Sequence, residues 1–327
     1  MKTSIKNIGV FTSGGDSPGM NAAIRAVVRA GIFNNLKVFG IHRGYEGMID
    51  GEIEEMQSLS VSGIIHRGGT ILKTARSKRF MTAEGMAMAN EQLIKHNINA
   101  LVAIGGDGTF RGALEFNKHY EIPFIGLPGT IDNDLYGTDF TIGYDTAINT
   151  AMEAIDKIRD TADAHNRLFF VEVMGRDAGF IALRCGLATG AEAILLPEVA
   201  MSIEQLIEKL ESGWKRKKSS SIVIVSEGEE EGGALEVAKK VKEKFNEYDT
   251  RVSIIGHIQR GGNPTCMDRV LASRLGVAAV EALLAGKKNV MAGVMHRDVV
   301  YTPFEKATKH HMEISPYLTE LADILAI

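Results

Sequence analysis

Residues 8–32 read IGVFTSGGDSPGMNAAIRAVVRAGI, and this stretch decides the fold class. Ile8–Phe11 is a short, mostly apolar run, too short for a helix and without polar alternation, which suits a strand covered on both faces. TSGGDSPGMN (residues 12–21) is a glycine-rich loop, and apolar residues then recur at helical spacing over Met20–Ile32. The same punctuation returns further along. Val38–Ile41 precedes HRGYEG, Leu101–Ile104 precedes GGDGTFRG and Phe124–Leu127 precedes PGTIDND. In the second half, Leu168–Val173 precedes MGRDAG, Ile222–Val225 precedes SEGEEEGG and Val252–Ile255 precedes GHIQRGG, while Thr146–Thr161 reads as a long helix. Strand alternating with helix predicts parallel sheets with right-handed crossovers. The pattern fills both halves of 327 residues, which suggests two α/β domains at roughly 150 residues each.

Composition narrows the function classes. The net charge is −4, from 41 acidic and 37 basic residues, which gives no global attraction to nucleic acid. No apolar run approaches the roughly 18 residues of a membrane span, and the apolar stretch in MKTSIKNIGVF is too short for a secretory signal. Cys185 and Cys266 are too few for a disulfide framework and lack metal-ligand spacing, as expected of a cytoplasmic protein. The 35 glycines are about 11% of the chain, against about 7% on average, and must serve turns and close backbone approaches. Residues 215–218 are basic before a strand, and Glu229–Glu231 is expected to open a helix, where carboxylates suit the dipole; a solvated face is the other reading of both. His310 and His311 are adjacent, cannot chelate from one helix face, and read as surface.

The chemistry concentrates in the loops after strands, where open α/β sheets bind ligands. In residues 12–21, Gly14 and Gly15 leave a ligand room to approach a helix N-terminus, which suits phosphate; a turn capped by Asp16 or Ser17 is the alternative. In residues 105–112, Gly105, Gly106 and Gly108 clear space and Thr109 can donate. Asp107 among phosphates calls for a bridging Mg²⁺, or else serves as a turn former or N-cap. The spacing misses GxGxxG by one residue, and GGTILKT (68–74) fails the Walker A pattern. In residues 128–134, Asp132 and Asp134 would share a face of an extended strand end, one as base toward a hydroxyl and one toward metal, the division phosphoryl transfer asks for. A structural Asx turn is the alternative there. Arg167 precedes a strand, and Arg176, Arg251, His257 and Arg260 are expected at or beyond strand ends, where guanidinium forks match phosphate.

TSGGDSPGMNAAIR, RGGT, TAR, IGGDGT, GLPGTIDND, DTA, HNR, EVMGR, GHIQRGG and DRVLASRLG occur in this order. Together they resemble the bacterial ATP-dependent 6-phosphofructokinases from Ile8 to about Met295. The resemblance implies an α/β fold of two stacked Rossmann-like domains with mostly parallel sheets and the active site in the cleft between them. Residues 1–143 with 259–302 would form the larger, ATP-binding domain, and 144–258 with 303–327 the smaller, fructose 6-phosphate-binding domain. It implies transfer of phosphoryl from ATP to the sugar 1-hydroxyl, in line and without a covalent intermediate. Asp132 would be the base, Thr130 would contact the transferred group, and Asp107 and Asp134 would hold Mg²⁺. Gly15 N–H would meet the γ-phosphate, and Arg76 and Arg176 would neutralise charge developing in transfer. Tyr45, Ser77, Gly106, Asp107, Gly108 and Thr109 would line the nucleotide. Met174, Gly175, Glu227, His257 and Arg260 would bind the sugar phosphate, joined by Arg167 and Arg251 from a neighbouring subunit of a homotetramer.

The resemblance also bears on the donor and on control. Pyrophosphate-dependent siblings carry Asp where Gly108 stands and Lys where Gly129 stands, so the two glycines match the ATP type. Met81 stands where many relatives carry a further Arg near the nucleotide, and Arg79 lies two residues early. Arg25, Arg29, Arg159, Glu192, Arg216 and Lys218 fit the pocket that takes ADP or phosphoenolpyruvate as effectors. Ser58 and Gly63 replace an Arg and an Asp of that pocket, and losing one guanidinium forfeits roughly 1.5–3 kcal/mol, so weakened or changed effector control is expected. A pyrophosphate-dependent enzyme and a non-catalytic nucleotide-sensing paralogue are the alternatives. Lipid and NAD kinases share GGDGT without PGTIDND and GHIQRGG, and a dinucleotide oxidoreductase would respond to NADH. The stretch after His296 matches the family poorly and is assigned only helix and packing.

Overall fold

The structure is a computed structural model and describes residues 5–165, 167–216, 221–307 and 313–326. Its strands are β1 (Asn7–Thr12), β2 (Lys37–Ile41), β3 (Ile53–Met56), β4 (Ala100–Gly105), β5 (Phe124–Pro128), β6 (Arg167–Val173), β7 (Ala193–Leu195), β8 (Ser221–Ser226), β9 (Asp249–Ile254), β10 (Val290–Met295) and β11 (Asp298–Pro303). Its helices are α1 (Met20–Phe33), α2 (Gly44–Asp50), α3 (Ala83–Lys95), α4 (Asp107–Asn117), α5 (Tyr144–Asp163), α6 (Phe180–Thr189), α7 (Ile203–Lys215), α8 (Gly233–Lys244), α9 (Cys266–Leu284) and α10 (Pro316–Leu325).

The chain forms two compact units, Met1–Thr146 with Arg260–Met312 and Ala147–Gln259 with Glu313–Ile327. The first holds a seven-stranded sheet in the order β11-β10-β5-β4-β1-β2-β3, parallel except for the edge strands β3 and β11. Its parallel strands read as largely apolar runs because both faces are covered. Ile8, Val10, Val102, Ile104, Ile125 and Leu127 pack with α1 and α9 on one face; Phe11, Ile41, Leu101, Ala103 and Phe124 pack with α2, α3 and α4 on the other. Gly9 is required by that closeness: a Cβ there would lie 2.6 Å from Leu101 Cδ2. Phe304 and Ala307 are buried in this unit, Phe304 stacked on Phe110 at 4.9 Å, although the sequence puts everything from 303 in the second domain.

The second unit carries an all-parallel sheet in the order β7-β8-β6-β9. Leu168, Phe170, Val223 and Val225 pack against Leu206 and Leu210 of α7 and Val237 and Val241 of α8. The α/β class with mostly parallel sheets is therefore as the sequence predicts. Glu229–Glu231 does not open a helix: α8 starts at Gly233 behind a left-handed Gly232, and the three glutamates form the preceding turn. The entry is made by Gly232, and the carboxylate that serves it comes from β6: Glu172 Oε2 accepts from Ala234 N at 2.9 Å. Lys215 and Arg216 close α7, while Lys218, His310 and His311 lie outside the described residues.

Candidate active site

In the first unit β1 lies between β2 and β4, so the connection leaves it on one side and returns on the other. The loops beyond the carboxyl ends of β1 and β4 flank such a switch point, where ligands bind. Hydrogen bonds stitch these loops to the one after β5. Ser13 N donates to Ile104 O at 3.0 Å, Gly129 N to Gly105 O at 3.0 Å, and Thr109 Oγ1 to Ser13 O at 3.2 Å. Gly105 admits no side chain there, since a Cβ would lie 2.3 Å from Thr109 Oγ1.

Neither helix entry at this point is closed by a side chain. α1 is entered through left-handed Gly19, and Ser17 Oγ instead donates to Ile142 O at 2.8 Å. α4 is entered through extended Gly106, and Asp107 is its first residue rather than its cap, paired with Arg111 at 2.9 Å. The leading N–H groups and positive dipole end of α4 therefore suit an anion. The guanidinium of Arg260 lies on the first loop: Nη1 donates to Asp16 O at 3.3 Å, and a Cβ on Gly15 would lie 2.6 Å from it.

The segment after β5 differs from the sequence expectation. Asn133 is left-handed (φ 54), so Asp132 and Asp134 are not alternate residues of an extended strand, and the shared-face argument for them fails. Asn133 earns the bend by its side chain, whose Oδ1 accepts from Thr141 N at 2.8 Å. Thr141 Oγ1 donates to Thr130 O at 2.7 Å, and Asp132 N donates to Thr130 Oγ1 at 3.3 Å. Thr130, Asp132 and Asp134 end up buried, at 8%, 4% and 9% exposure, on a braced loop.

Tyr45 also departs from its expected role. It is 5% exposed, stacked on Phe80 at 4.0 Å, and its hydroxyl donates to Thr109 O at 2.7 Å. It supports the start of α4 from inside the core instead of lining a ligand, and burial pushes its phenol far above the usual range. Asn21, which sequence reasoning missed, clamps the RGGT segment: Nδ2 donates to Arg67 O and Gly68 O, both at 3.1 Å, and Oδ1 accepts from Ile71 N at 2.8 Å. Arg76 is exposed beyond this segment, and Ser77 Oγ donates to Glu46. Arg79 is committed to Glu46 at 2.7 Å and Asp50 at 2.8 Å, and Met81 is 70% exposed.

In the second unit the carboxyl ends of β6, β8 and β9 present Met174, Gly175, Arg176, Glu227 and His257. Arg176 is left-handed (φ 51), a strained position of the kind that collects at functional sites. Its N–H donates to Glu227 Oε2 at 3.3 Å, and a Cβ on Gly228 would lie 1.9 Å from Arg176 O, which fixes this turn. Arg167 lies at the opposite end, and Arg251 sits two residues in from it, opposite Phe169. Arg167 opens β6 and Arg251 is the third residue of β9, not beyond a strand end, and Asp249 accepts from both at 3.1 and 2.8 Å. Six residue steps along β6 put about 20 Å between Arg167 and Val173.

The effector candidates are partly committed elsewhere. Arg159 donates to Thr189 O at 2.6 Å and Gly190 O at 3.2 Å, satisfying the end of α6, and Glu192 accepts from Ile222 N at 2.6 Å. Arg25 and Arg29 share one face of α1, where burial and the like charge of Arg29 depress the Arg25 guanidinium. Arg216 is the C-cap of α7. Among the described residues no group of three or more His, Cys, Asp or Glu could hold a metal by itself. Mg²⁺ takes one or two carboxylates and completes its shell with phosphates and water, so Asp107 and Asp134 would meet its donor needs without an all-protein cage.

Comparison with known proteins identifies the family. The sequence profile described as Phosphofructokinase matches residues 7–283. The chain belongs to the phosphofructokinase family. It is 56% identical to "ATP-dependent 6-phosphofructokinase 2" of Bacteroides thetaiotaomicron over 99% of both chains. It is 55% identical to "ATP-dependent 6-phosphofructokinase 1" of Thermus thermophilus over 99% of this chain and 100% of that one. The T-state phosphofructokinase of Pichia pastoris matches at a TM-score of 0.87 and 37% identity, over 93% of this chain and 35% of the longer yeast chain. The pyrophosphate-dependent phosphofructokinase of Marinobacter aquaeolei matches at a TM-score of 0.84 but 25% identity, over 98% and 92%.

Proposed function

We infer that this phosphofructokinase uses ATP to phosphorylate the 1-hydroxyl of fructose 6-phosphate, giving fructose 1,6-bisphosphate. The observation that carries the reading is 56% identity over 99% of both chains to a relative named for ATP, against 25% to one named for pyrophosphate. Gly108 supports it, because a Cβ there meets nothing within 4 Å. That open volume suits an α-phosphate, and an Asp would fill it with like charge. Gly129 contributes differently: a Cβ would lie 2.9 Å from Ile104 Cγ2 and 3.1 Å from Met20 Cε, so a Lys there needs the core beneath it to move.

In this reading Asp132 takes the proton of the sugar hydroxyl as phosphoryl transfer proceeds in line, and its braced loop holds the carboxylate in place. Gly15 N–H, Thr130, Arg76 and Arg176 meet the transferred group, where preorganised donors stabilise charge. Gly106, Asp107, Gly108, Thr109 and Ser77 hold the nucleotide, and Met174, Gly175, Glu227, His257 and Arg260 hold the sugar phosphate. Asp107 and Asp134 would hold Mg²⁺, which when bound neutralises the phosphate oxygens. A homotetramer with shared sites is supported by the separation of Arg167 and Arg251 from Arg176 and Glu227 within one copy. Both arginines would serve a neighbour's site. Control by ADP or phosphoenolpyruvate through Arg25, Arg29, Arg159, Glu192 and Arg216 would be weak, given Ser58 and Gly63. Two free thiols fit a cytoplasmic enzyme, and among the described residues no helix is long and apolar enough to cross a membrane. Phosphorus NMR of a mixture with ATP and fructose 6-phosphate tests the reading. A second phosphomonoester on C1 supports it, and ATP hydrolysis without sugar product contradicts it.

A further inference from the structure

The short helix α2 meets three nucleotide-loop segments through three consecutive residues. Gly44 packs on the first loop, where a Cβ would lie 2.7 Å from Thr12 O. Tyr45 holds Thr109 at the start of α4. The Glu46 carboxylate accepts from Ser77 Oγ with one oxygen and from Arg79 Nη1, at 2.7 Å, with the other. Ser77 Oγ in turn accepts from Phe80 N at 3.0 Å, and Phe80 stacks on Tyr45. Arg79 continues to Asp50 at 2.8 Å, and Asp50 to Arg43 at 2.9 Å, which also bonds Glu52 at 2.7 Å. Glu46 is the most shielded member of this chain of charges, with 17% side-chain exposure against 47% for Arg79.

Residues 76–79 read RSKR, three cations in four positions that repel one another. Left alone, an exposed segment of this kind samples many conformations. We propose that Glu46 is a positioning residue of the nucleotide site: its carboxylate fixes the Ser77–Arg79 turn, so that Arg76 and Ser77 are presented in one conformation. Arg79 is thereby a strut of the protein and not a substitute for the ligand arginine missing at Met81. The inference rests on the reading that Arg76 and Ser77 meet ATP.

The test combines steady-state kinetics with trypsin cleavage of the nucleotide-free protein, for Glu46→Ala, Glu46→Gln, Ser77→Ala and the double variant Glu46→Ala/Ser77→Ala. Glu46→Ala should raise KM for ATP about tenfold, the loss of charge-assisted hydrogen bonds, while KM for fructose 6-phosphate stays within about twofold. Glu46→Gln keeps an acceptor for Ser77 and should recover part of the loss. The double variant should lose less than the sum of the two single ones, since both remove the Ser77–Glu46 bond. Trypsin should cut after Lys78 or Arg79 faster in Glu46→Ala than in the wild type. KM values for both substrates moving together, additive losses, or unchanged cleavage would overturn the proposal. Absence of ATP turnover in the wild type would sink the ATP reading itself, and the cleavage comparison would still decide the brace.

Discussion

Gly108 and Gly129 are the two positions at which the sequence resembles the ATP type, and their surroundings predict opposite consequences for stability. Gly108 is the second residue of α4, and an added Cβ meets nothing within 4 Å. Gly108→Ala should therefore stabilise the protein by about 0.5–1 kcal/mol through helix propensity and a less disordered unfolded chain. Gly108→Asp should gain about 0.3–1 kcal/mol from the helix N-terminus. It should also weaken ATP binding, because a like charge at 4 Å from phosphate costs about 1 kcal/mol in water and about 4 kcal/mol near a protein surface, at least about fivefold in KM. Gly129 faces the other way. A Cβ there lies 2.9 Å from Ile104 Cγ2, 3.1 Å from Met20 Cε and 3.3 Å from Gly105 N. Gly129→Ala should cost about 1–3 kcal/mol by overpacking. Urea unfolding midpoints read the stability, and initial rates over an ATP series read the affinity. A destabilised Gly108→Ala or a stabilised Gly129→Ala would refute the packing argument, and Gly108→Asp with unchanged KM for ATP would refute the placement of the phosphates.

Three further predictions follow from named groups. Asp132→Asn should lower kcat by about 10²–10⁴ with both KM values nearly unchanged, since it removes a proton acceptor at constant volume; near-normal turnover would end that role. Mixing Asp132→Asn with Arg251→Ser subunits should restore activity above the sum of the two, because random assembly leaves about one shared site in four with both residues intact; no gain would contradict sites shared between copies. Iodoacetamide at neutral pH should label Cys266, which is exposed, and spare Cys185, whose thiol burial pushes up to about 12; mass spectrometry of the labelled peptides decides it.

The strand–loop–helix rhythm is readable because covered parallel strands are largely apolar runs, as in six of the seven runs; the seventh, β9, is an exposed edge strand marked only by Val252–Ile255 before its loop. The strands that escaped notice are β3, β7, β10 and β11. β3 carries Glu54 and Glu55 on an open edge, β7 has only three residues, and β11 has only three apolar residues in a row, between Asp298 and Thr302. Within the site, glycine-rich loops and their acids were legible because residue type alone restricts what they can do. Conformation was not: left-handed Asn133 undoes the two-residue period that paired Asp132 with Asp134. Burial was not legible either. The family resemblance puts Tyr45 at the nucleotide, whereas the side chain is buried and stacked on Phe80. Glu46 and Asn21 were passed over because their importance lies in partners 31 and 46 positions away, Ser77 and Arg67.

The phosphoryl donor separates the two kinds of phosphofructokinase that this chain resembles. The most direct measurement is fructose 1,6-bisphosphate formation, read through aldolase, with ATP and separately with pyrophosphate at matched fructose 6-phosphate and Mg²⁺. The kcat/KM for ATP should exceed that for pyrophosphate by at least about a hundredfold, a difference of about 2.7 kcal/mol. Equal or greater efficiency with pyrophosphate would contradict ATP as the donor.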